Sequence, residues 1–198
     1  MPSASERQPT IFTPHLALEH IAADRLILLF EDPENASVYE DCNYSNPHRE
    51  LIDFPGPLRW RAPQVKENIE LNKWFLRWIV VRDVQEIVGS ISFHGAPNDA
   101  GMVEVGLGVH PKFQGRGYAR EALIGMWSWV VEQPGVEVLR YTVSATNVAS
   151  MKLIAKFGFT RIGVQIDEQD GPEEVFEMSA HEFRSQHAVP WRDGSTTQ

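Results

Sequence analysis

The chain has 198 residues, 42% of them hydrophobic and 23% charged, and its formal net charge is −9. These values are typical of a globular protein with one well-packed domain or at most two small ones. The negative charge argues against a nucleic-acid-binding surface, because neutralising phosphates requires clustered lysine and arginine side chains.

The first half of the chain is predicted to mix short strands with two helices. Residues 1–10 are polar, lack the apolar core of a signal peptide and are expected to form a flexible tail. The predicted strands of this half cover residues 25–30, 76–82 and 87–93. The predicted helices cover residues 33–41 and 62–74, and a loop rich in proline, glycine and asparagine separates them.

The second half alternates more clearly between strands and helices. Residues 103–109 alternate valine and leucine with glutamate and glycine, which is the two-residue period of a strand. The helix predicted over 117–133 is apolar on most sides, as expected for a helix that packs under a sheet. The remaining predicted elements are a strand at 138–145, a helix at 147–157, a hairpin of 161–166 with 175–178, and a flexible tail at 187–198. This order predicts mixed α/β structure rather than a pure βαβ series.

A glycine-rich turn joins the strand at 103–109 to the helix that follows. Its residues are Gln114, Gly115, Arg116, Gly117, Tyr118 and Ala119. The start of a helix presents unpaired N–H groups and the positive end of the helix dipole, and glycines allow a phosphate to approach them. The alternative is an ordinary turn that needs glycine only for its backbone dihedrals.

Three motifs in this order resemble the GNAT superfamily of acyl-CoA-dependent N-acyltransferases. Residues 105–111, Val-Gly-Leu-Gly-Val-His-Pro, resemble the fourth strand of that family, and residues 114–119 match its Gln/Arg-x-x-Gly-x-Gly/Ala signature. The third motif runs from Asn147-x-x-Ser150 to Gly158-Phe159, and it is most similar to the RimJ/RimL-type branch, which acetylates protein N-termini and small amines. The resemblance implies one domain over residues 11–186, with a mixed, mostly antiparallel sheet of about seven strands flanked by helices.

The resemblance also implies that acetyl-CoA is the cosubstrate. Main-chain N–H groups of the glycine-rich turn would bind its pyrophosphate, and Arg116 would add a positive charge. The backbone of Leu107 and Val109 would bind the pantetheine arm, an approach that the bare Gly106 and Gly108 would ease. Asn147 would bond to the pantetheine or to a water, or would cap the helix that follows it. A Rossmann dinucleotide site is the rival interpretation of the turn, but its Gly-x-Gly-x-x-Gly pattern is missing.

Acetyl transfer requires a free amine, a stabilised oxyanion and a departing thiolate. Freeing a lysine amine at pH 7 costs about 4.6 kcal/mol and freeing an α-amine about 1.1, so a base matters more for the lysine. Glu104 is the candidate base, since a carboxylate between strand valines needs a reason to be there; alternatively it faces solvent or pairs with a basic residue. Ile154 stands where many family members carry a tyrosine general acid, and Ser150 would contact the sulfur in its place.

Other residues are weaker candidates. His94 lies at a strand end near the same edge, whereas His110 before Pro111 is expected only to end a strand. The acidic residues between Asp167 and Glu177 either form a solvated loop or attract a cationic amine. Aromatic and acidic residues expected in a core, a pocket wall or an acceptor groove are Phe54, Trp60, Trp74, Tyr39, Glu40 and Asp41.

The sequence therefore predicts an N-acetyltransferase that transfers acetyl from acetyl-CoA to a primary amine by direct attack. The alternative is a non-catalytic acyl-CoA-binding or regulatory protein of the same fold. The single cysteine, Cys42, lies outside every motif and cannot form an internal disulfide, so a reducing cytoplasm is expected. The expected partners are acetyl-CoA, an amine acceptor and, as an open alternative, a second copy of the chain. We expect no metal, no nucleic acid and no membrane partner.

Overall fold

The computed structural model describes residues 8–167 and 171–191. In these residues eight strands form one sheet in the order β1-β2-β3-β4-β5-β6-β8-β7. The strands are β1 Ile11–Phe12, β2 Leu16–His20, β3 Arg77–Val81, β4 Glu86–Phe93, β5 Met102–Val109, β6 Val138–Ser144, β7 Thr160–Asp167 and β8 Gly171–Ser179. Every neighbouring pair is antiparallel except β5 and β6, which are parallel. The mixed, mostly antiparallel α/β fold is confirmed, with one strand more than the expected number.

The helices follow the prediction well only in the second half of the chain. They are α1 Ala23–Glu31, α2 Leu58–Glu67, α3 Tyr118–Val130, α4 Val148–Ala155 and α5 Ala180–Gln186, with 3-10 turns at Ala36–Tyr39, Ile69–Trp74 and Pro111–Phe113. The strand predicted over residues 25–30 is wrong, because this run lies inside α1 and buries Leu26 and Leu29 three positions apart on one helical face. The helix predicted over 33–41 is only a short 3-10 turn, and α5, β1 and β2 were not predicted.

Helix α3 provides the centre of the hydrophobic core. Trp127 is fully buried, and its ring centroid lies 5.0 Å from that of Phe157 and 4.8 Å from that of Phe159. The ring of Phe183 on α5 lies 5.7 Å from the same indole. This aromatic cluster packs the C-terminal end of α4 against α3. Because α4 is short and rigid, the cluster also determines the position of its N-terminal end.

The parallel pairing of β5 with β6 is short. It runs from Met102 opposite Val138 to Val105 opposite Tyr141 and then stops, although β5 continues to Val109 and β6 to Ser144. On its other side β5 stays paired with β4 as far as Val109. The second half of β5 therefore faces an open gap where a neighbouring strand would otherwise lie.

The described ends of the chain are attached to the core. The Gln8 N–H donates to His20 Nδ1 at 3.1 Å, and the Val189 N–H donates to Ser128 Oγ at 3.1 Å. A side-chain nitrogen of His187 lies 2.8 Å from the Phe157 carbonyl oxygen. Residues 1–7, 168–170 and 192–198 lie outside the described residues, so the flexibility of the two tails stays a prediction. No helix in the described part is both long and apolar enough to cross a bilayer.

We expect Gly89→Ala to destabilise the fold by about 2–4 kcal/mol, as overpacking against an immobile neighbour does. A Cβ at this position would lie 2.1 Å from the Gly108 carbonyl oxygen, which belongs to the adjacent strand and cannot rotate away. Urea unfolding measures the change. Gly163→Ala is the matched control, since a Cβ there meets no atom within 4 Å, and it should shift the free energy of unfolding by less than about 1 kcal/mol. Equal effects of the two substitutions would contradict the proposed close contact between β4 and β5.

Candidate active site

A cleft of about 950 Å³ opens where β5 and β6 separate. Its walls come from β4, β5 and β6, from the start of α4, from α2 with the loop before it, and from β7 and β8. The cleft carries both signs of charge. Its charged residues apart from histidine are Glu50, Glu104, Asp167, Glu173, Arg59 and Arg61.

The main chain of β5 offers free hydrogen-bonding groups to this cleft. The His94 N–H donates to the Glu104 carbonyl, and the His110 N–H donates to the Val88 carbonyl, both at 2.8 Å. Since bonding direction alternates along an antiparallel strand, the N–H and C=O groups of Leu107 and Val109 point away from β4. Gln114 Nε2 donates to the Val109 carbonyl at 2.9 Å, which leaves that oxygen one further lone pair.

The glycine-rich turn leads directly into α3. Gly115 and Gly117 have positive φ angles of 75° and 87°, and a Cβ at either position would meet no atom within 4 Å. The glycines are therefore required for backbone conformation rather than for space. No side chain caps α3 at Gly117, so the N–H groups of its first turn, which begins with Tyr118 and Ala119, are available to a ligand.

Three basic residues surround this helix start. Lys112, Arg116 and Arg120 make no ion pair with any carboxylate in residues 8–167 or 171–191. The Arg116 guanidinium lies 5.1 Å from the Phe113 ring, and that of Arg120 lies 5.6 Å from the Phe157 ring. Unpaired N–H groups, a helix dipole and free cations together make a site suited to a phosphate or pyrophosphate.

Glu104 lies in the cleft beside a histidine and a threonine. Its Oε1 accepts a hydrogen bond from Thr142 Oγ1 at 2.6 Å and lies 3.4 Å from His94 Nδ1, while only 13% of its side chain is exposed. Desolvation in the cleft lowers the pKa of His94, the Glu104 charge opposes this, and the Arg61 charge adds to it. Because 47% of the His94 side chain is exposed, screening by solvent limits the shift. The imidazole is thus neutral near pH 7 and can accept or relay a proton.

The absence of a side chain at Gly106 leaves space for the His94 ring. A Cβ on Gly106 would lie 3.1 Å from His94 Nε2, whereas a Cβ on Gly108 would meet nothing within 4 Å. Both glycines were expected to ease the approach of the cofactor, which stays a prediction. In the structure Gly106 leaves room for the imidazole.

The start of α4 forms the opposite wall. Asn147 Oδ1 accepts from the Ser150 N–H at 3.1 Å, so the expected helix cap is present, and both residues line the cleft. Ile154 is 1% exposed and belongs to the core. Tyr141 on β6 also lines the cleft; burial raises its pKa, although a hydrogen bond with Ser150 acts in the opposite direction. Tyr141 therefore keeps its proton at neutral pH. The sequence motifs did not single it out.

The weaker candidates separate into two groups. Phe54 and Trp60 lie at the cleft and are 86% and 42% exposed, and Asp167 and Glu173 also line it. Trp74 is buried against Trp129 in the core. Residues predicted for the acceptor groove that do not line the cleft are Tyr39, Glu40 and Asp41.

The remaining members of the acidic stretch behave differently from Asp167 and Glu173. Glu174 pairs with Arg161 and Glu177 with Arg140, while Glu168 and Asp170 lie outside the described residues. His110 stacks on His48 with ring centroids 4.5 Å apart. Within the described part of the chain, no group of three or more His, Cys, Asp or Glu residues is arranged to hold a metal ion.

Comparison with known proteins places this geometry among acetyltransferases. The chain is 33% identical over 88 residues to the uncharacterized N-acetyltransferase YjdG of Bacillus subtilis, covering 44% of this chain and 52% of that protein. The chain thus spans about half the length of the curated relatives that it matches first.

Solved structures share the fold at low identity. A ribosomal-protein-S5-alanine acetyltransferase from Vibrio fischeri superposes with a TM-score of 0.61 at 17% identity, covering 86% of this chain and 96% of that one. The microcin C7 self-immunity acetyltransferase MccE, solved with acetyl-CoA and AMP, gives a TM-score of 0.56 at 15% identity, covering 84% and 93% of the two chains.

The family comparison covers most of the chain. The acetyltransferase (GNAT) domain matches residues 15–160, a range that contains the cleft-forming strands β4, β5 and β6, the glycine-rich turn and the start of α4. The chain therefore belongs to the GNAT acetyltransferase family.

Proposed function

We propose that the protein is an N-acetyltransferase of the RimJ/RimL-like branch, which transfers the acetyl group of acetyl-CoA to a primary amine by direct attack. The observation that carries this proposal is the position of Glu104. Its carboxylate lies with His94 and Thr142 in the cleft where β5 and β6 separate, on the strand that leads into the basic, glycine-rich helix start. The Asn147-x-x-Ser150 spacing supports the branch.

The residues around the cleft fit acetyl-CoA, which supplies the activated acyl group when bound. The N–H groups of residues 115–119 and the charge of Arg116 would hold its pyrophosphate. The outward-pointing backbone groups of Leu107 and Val109 would hold the pantetheine as an additional strand does. Asn147 and Ser150 then lie on the opposite wall of the same cleft.

Glu104 would take the proton of the attacking amine, directly or through a water. Thr142 restricts the carboxylate by donating to Oε1, and the neutral His94 can pass the proton towards solvent. Cys42 lies outside this cleft, and its sulfur is 3.2 Å from Arg25 Nη1. Its position therefore gives no support to a mechanism with an acetyl-cysteine intermediate and favours direct attack by the amine.

Ser150 would contact the departing sulfur, and Tyr141 would keep the serine hydroxyl oriented. A thiol with a pKa near 8.5 needs little help to leave, so a hydrogen bond suffices in place of the tyrosine acid that Ile154 replaces. The isoleucine at position 154, where many family members carry a tyrosine acid, favours one second candidate, an acyl-CoA-binding protein without turnover. That candidate predicts acetyl-CoA binding with no CoA release on any amine.

Glu104→Gln should lower kcat/KM by about 10²–10⁴-fold for an amine with a pKa near 10, and much less for an α-amine with a pKa near 8. The amide cannot accept the proton, and the high-pKa amine depends on that acceptance most. CoA release measured against pH with both amines checks this, together with the Kd for acetyl-CoA, which should stay unchanged.

Glu137→Gln is the control, because it removes an exposed carboxylate that does not line the cleft. If Glu104→Gln has the same kcat/KM as the wild-type protein with both amines, another group is the base.

Arg116→Gln should raise the KM for acetyl-CoA about tenfold by removing one charge-assisted contact to phosphate. The same variant should leave kcat/KM for S-acetyl-pantetheine unchanged, since that donor lacks the pyrophosphate. Steady-state kinetics with the two donors gives the comparison. Equal losses with both would mean that Arg116 acts on the fold or the chemistry instead.

A further inference from the structure

Arg61 on α2 is a buried cation at the cleft that has no counter-ion among the residues that the structure describes. It is 8% exposed, and its Nη1 donates to Gln64 Oε1 at 3.0 Å. Its guanidinium lies 5.2 Å from the Phe75 ring, and its Nε has no hydrogen-bond partner. None of the carboxylates in the described ranges forms an ion pair with it.

Several other arginine side chains in the described part of the chain have different partners from Arg61. Arg49, Arg140 and Arg161 each bind a carboxylate. The fully buried Arg77 lies away from the cleft, and its Nη1 donates to the carbonyl oxygens of Pro9 and Leu18, while its Nε and Nη2 have no hydrogen-bond partner in the described ranges. Arg61 lines an open cleft and, within residues 8–167 and 171–191, has a single amide oxygen as a hydrogen-bond partner, although burying an uncompensated charge costs several kcal/mol.

Arg61 lines the same cleft as the groups that face the amine, Glu104 and His94. The Glu104 charge opposes the burial that lowers the pKa of Arg61, and the Arg61 charge contributes to the lowered pKa of His94. A guanidinium stays charged at neutral pH even when its pKa is lowered. The cleft thus presents a fixed cation together with the candidate base.

We propose that Arg61 binds a carboxylate that the acceptor carries beside its primary amine, so that the acceptor is a free amino acid. This inference rests on the proposed function and names its substrate class. The fork of N–H groups on a guanidinium matches a carboxylate, and this pairing would satisfy Arg61 while its partner amine faces Glu104. A polyamine would place a second cation near Arg61, and a peptide N-terminus has a neutral amide where the carboxylate would be.

The charges elsewhere in the cleft agree with such an acceptor. Glu50 lines the same cleft, and burial raises its pKa, while Asp167 and Glu173 line the wall formed by β7 and β8. A cleft with both signs of charge suits a ligand that also carries both. The purely cationic acceptor suggested by the acidic stretch alone would leave Arg61 unmatched.

The test compares L-amino acids with their own carboxamides as acceptors, by CoA release at pH 7. The wild-type protein should show a kcat/KM at least about tenfold higher for the best acid than for its amide. The amide has the less basic amine and so the larger free fraction, which means that such a preference must come from binding. Spermidine, a tripeptide and O-phosphoethanolamine complete the panel. A better rate with any of these, or with the amide, overturns the proposal.

Substitutions at Arg61 test whether this residue causes the preference for amino acids over their carboxamides. Arg61→Gln should abolish the preference for the acid, so that kcat/KM for the acid falls by at least about tenfold relative to that of the amide measured with the same variant, and Arg61→Lys should retain part of the preference. Lys66→Gln on the same helix is the matched control, because Lys66 pairs with Glu31 and does not line the cleft. A preference for the acid that survives in a folded Arg61→Gln protein would assign the carboxylate to another residue.

Binding separates this inference from the proposed function. Calorimetric titration of the amino acid into the CoA-saturated protein needs no turnover. Binding that is at least about tenfold weaker in Arg61→Gln, with no CoA release on any acceptor, would retain the carboxylate site and refute the acetyltransferase activity. If the wild-type protein neither binds amino acids nor prefers them as acceptors, the site itself is refuted.

Discussion

The site depends on the early end of the parallel pairing between β5 and β6. The two strands are bonded only as far as Val105 and Tyr141, and they then separate while β4 and β8 continue to support them on their outer sides. Unpaired strand backbone at the centre of a sheet is normally costly, so it persists only where another partner supplies the missing bonds. That requirement connects the fold with a ligand that can lie between the strands.

The proposed ligand-binding region has different charges at its two ends, the start of α3 and the cleft between β5 and β6. The chain as a whole carries a formal charge of −9, yet the helix start after β5 is surrounded by basic side chains that pair with no carboxylate of the described residues. At the other end a carboxylate, a neutral imidazole and a buried guanidinium line one cleft, where the Glu104 charge opposes the lowering of the pKa of both His94 and Arg61. Local arrangement therefore decides what each end attracts, and the sign of the net charge does not.

Secondary structure was predicted correctly from the sequence where it follows from local features. From residue 76 to residue 159 the strand alternation, the glycine-rich turn and the Asn147 cap are local features, and the predicted elements appear there within a few residues. The apolar run at 25–30 is too short to distinguish a strand from a helix face, and packing against the core decided the outcome. The motifs identified Glu104 and Ser150, but Thr142, Tyr141 and Arg61 reach the cleft through strand register and helix packing. No spacing in the sequence encodes those contacts.

Gly106 has a consequence for the shape of the cleft. A Cβ at this position would lie 3.1 Å from His94 Nε2, which is closer than ordinary packing allows. The same stretch of backbone carries the free groups beside the cleft at Leu107. Any side chain at position 106 would therefore press on the imidazole that lies beside the candidate base, so this glycine determines the room available to His94 as well as the form of the strand.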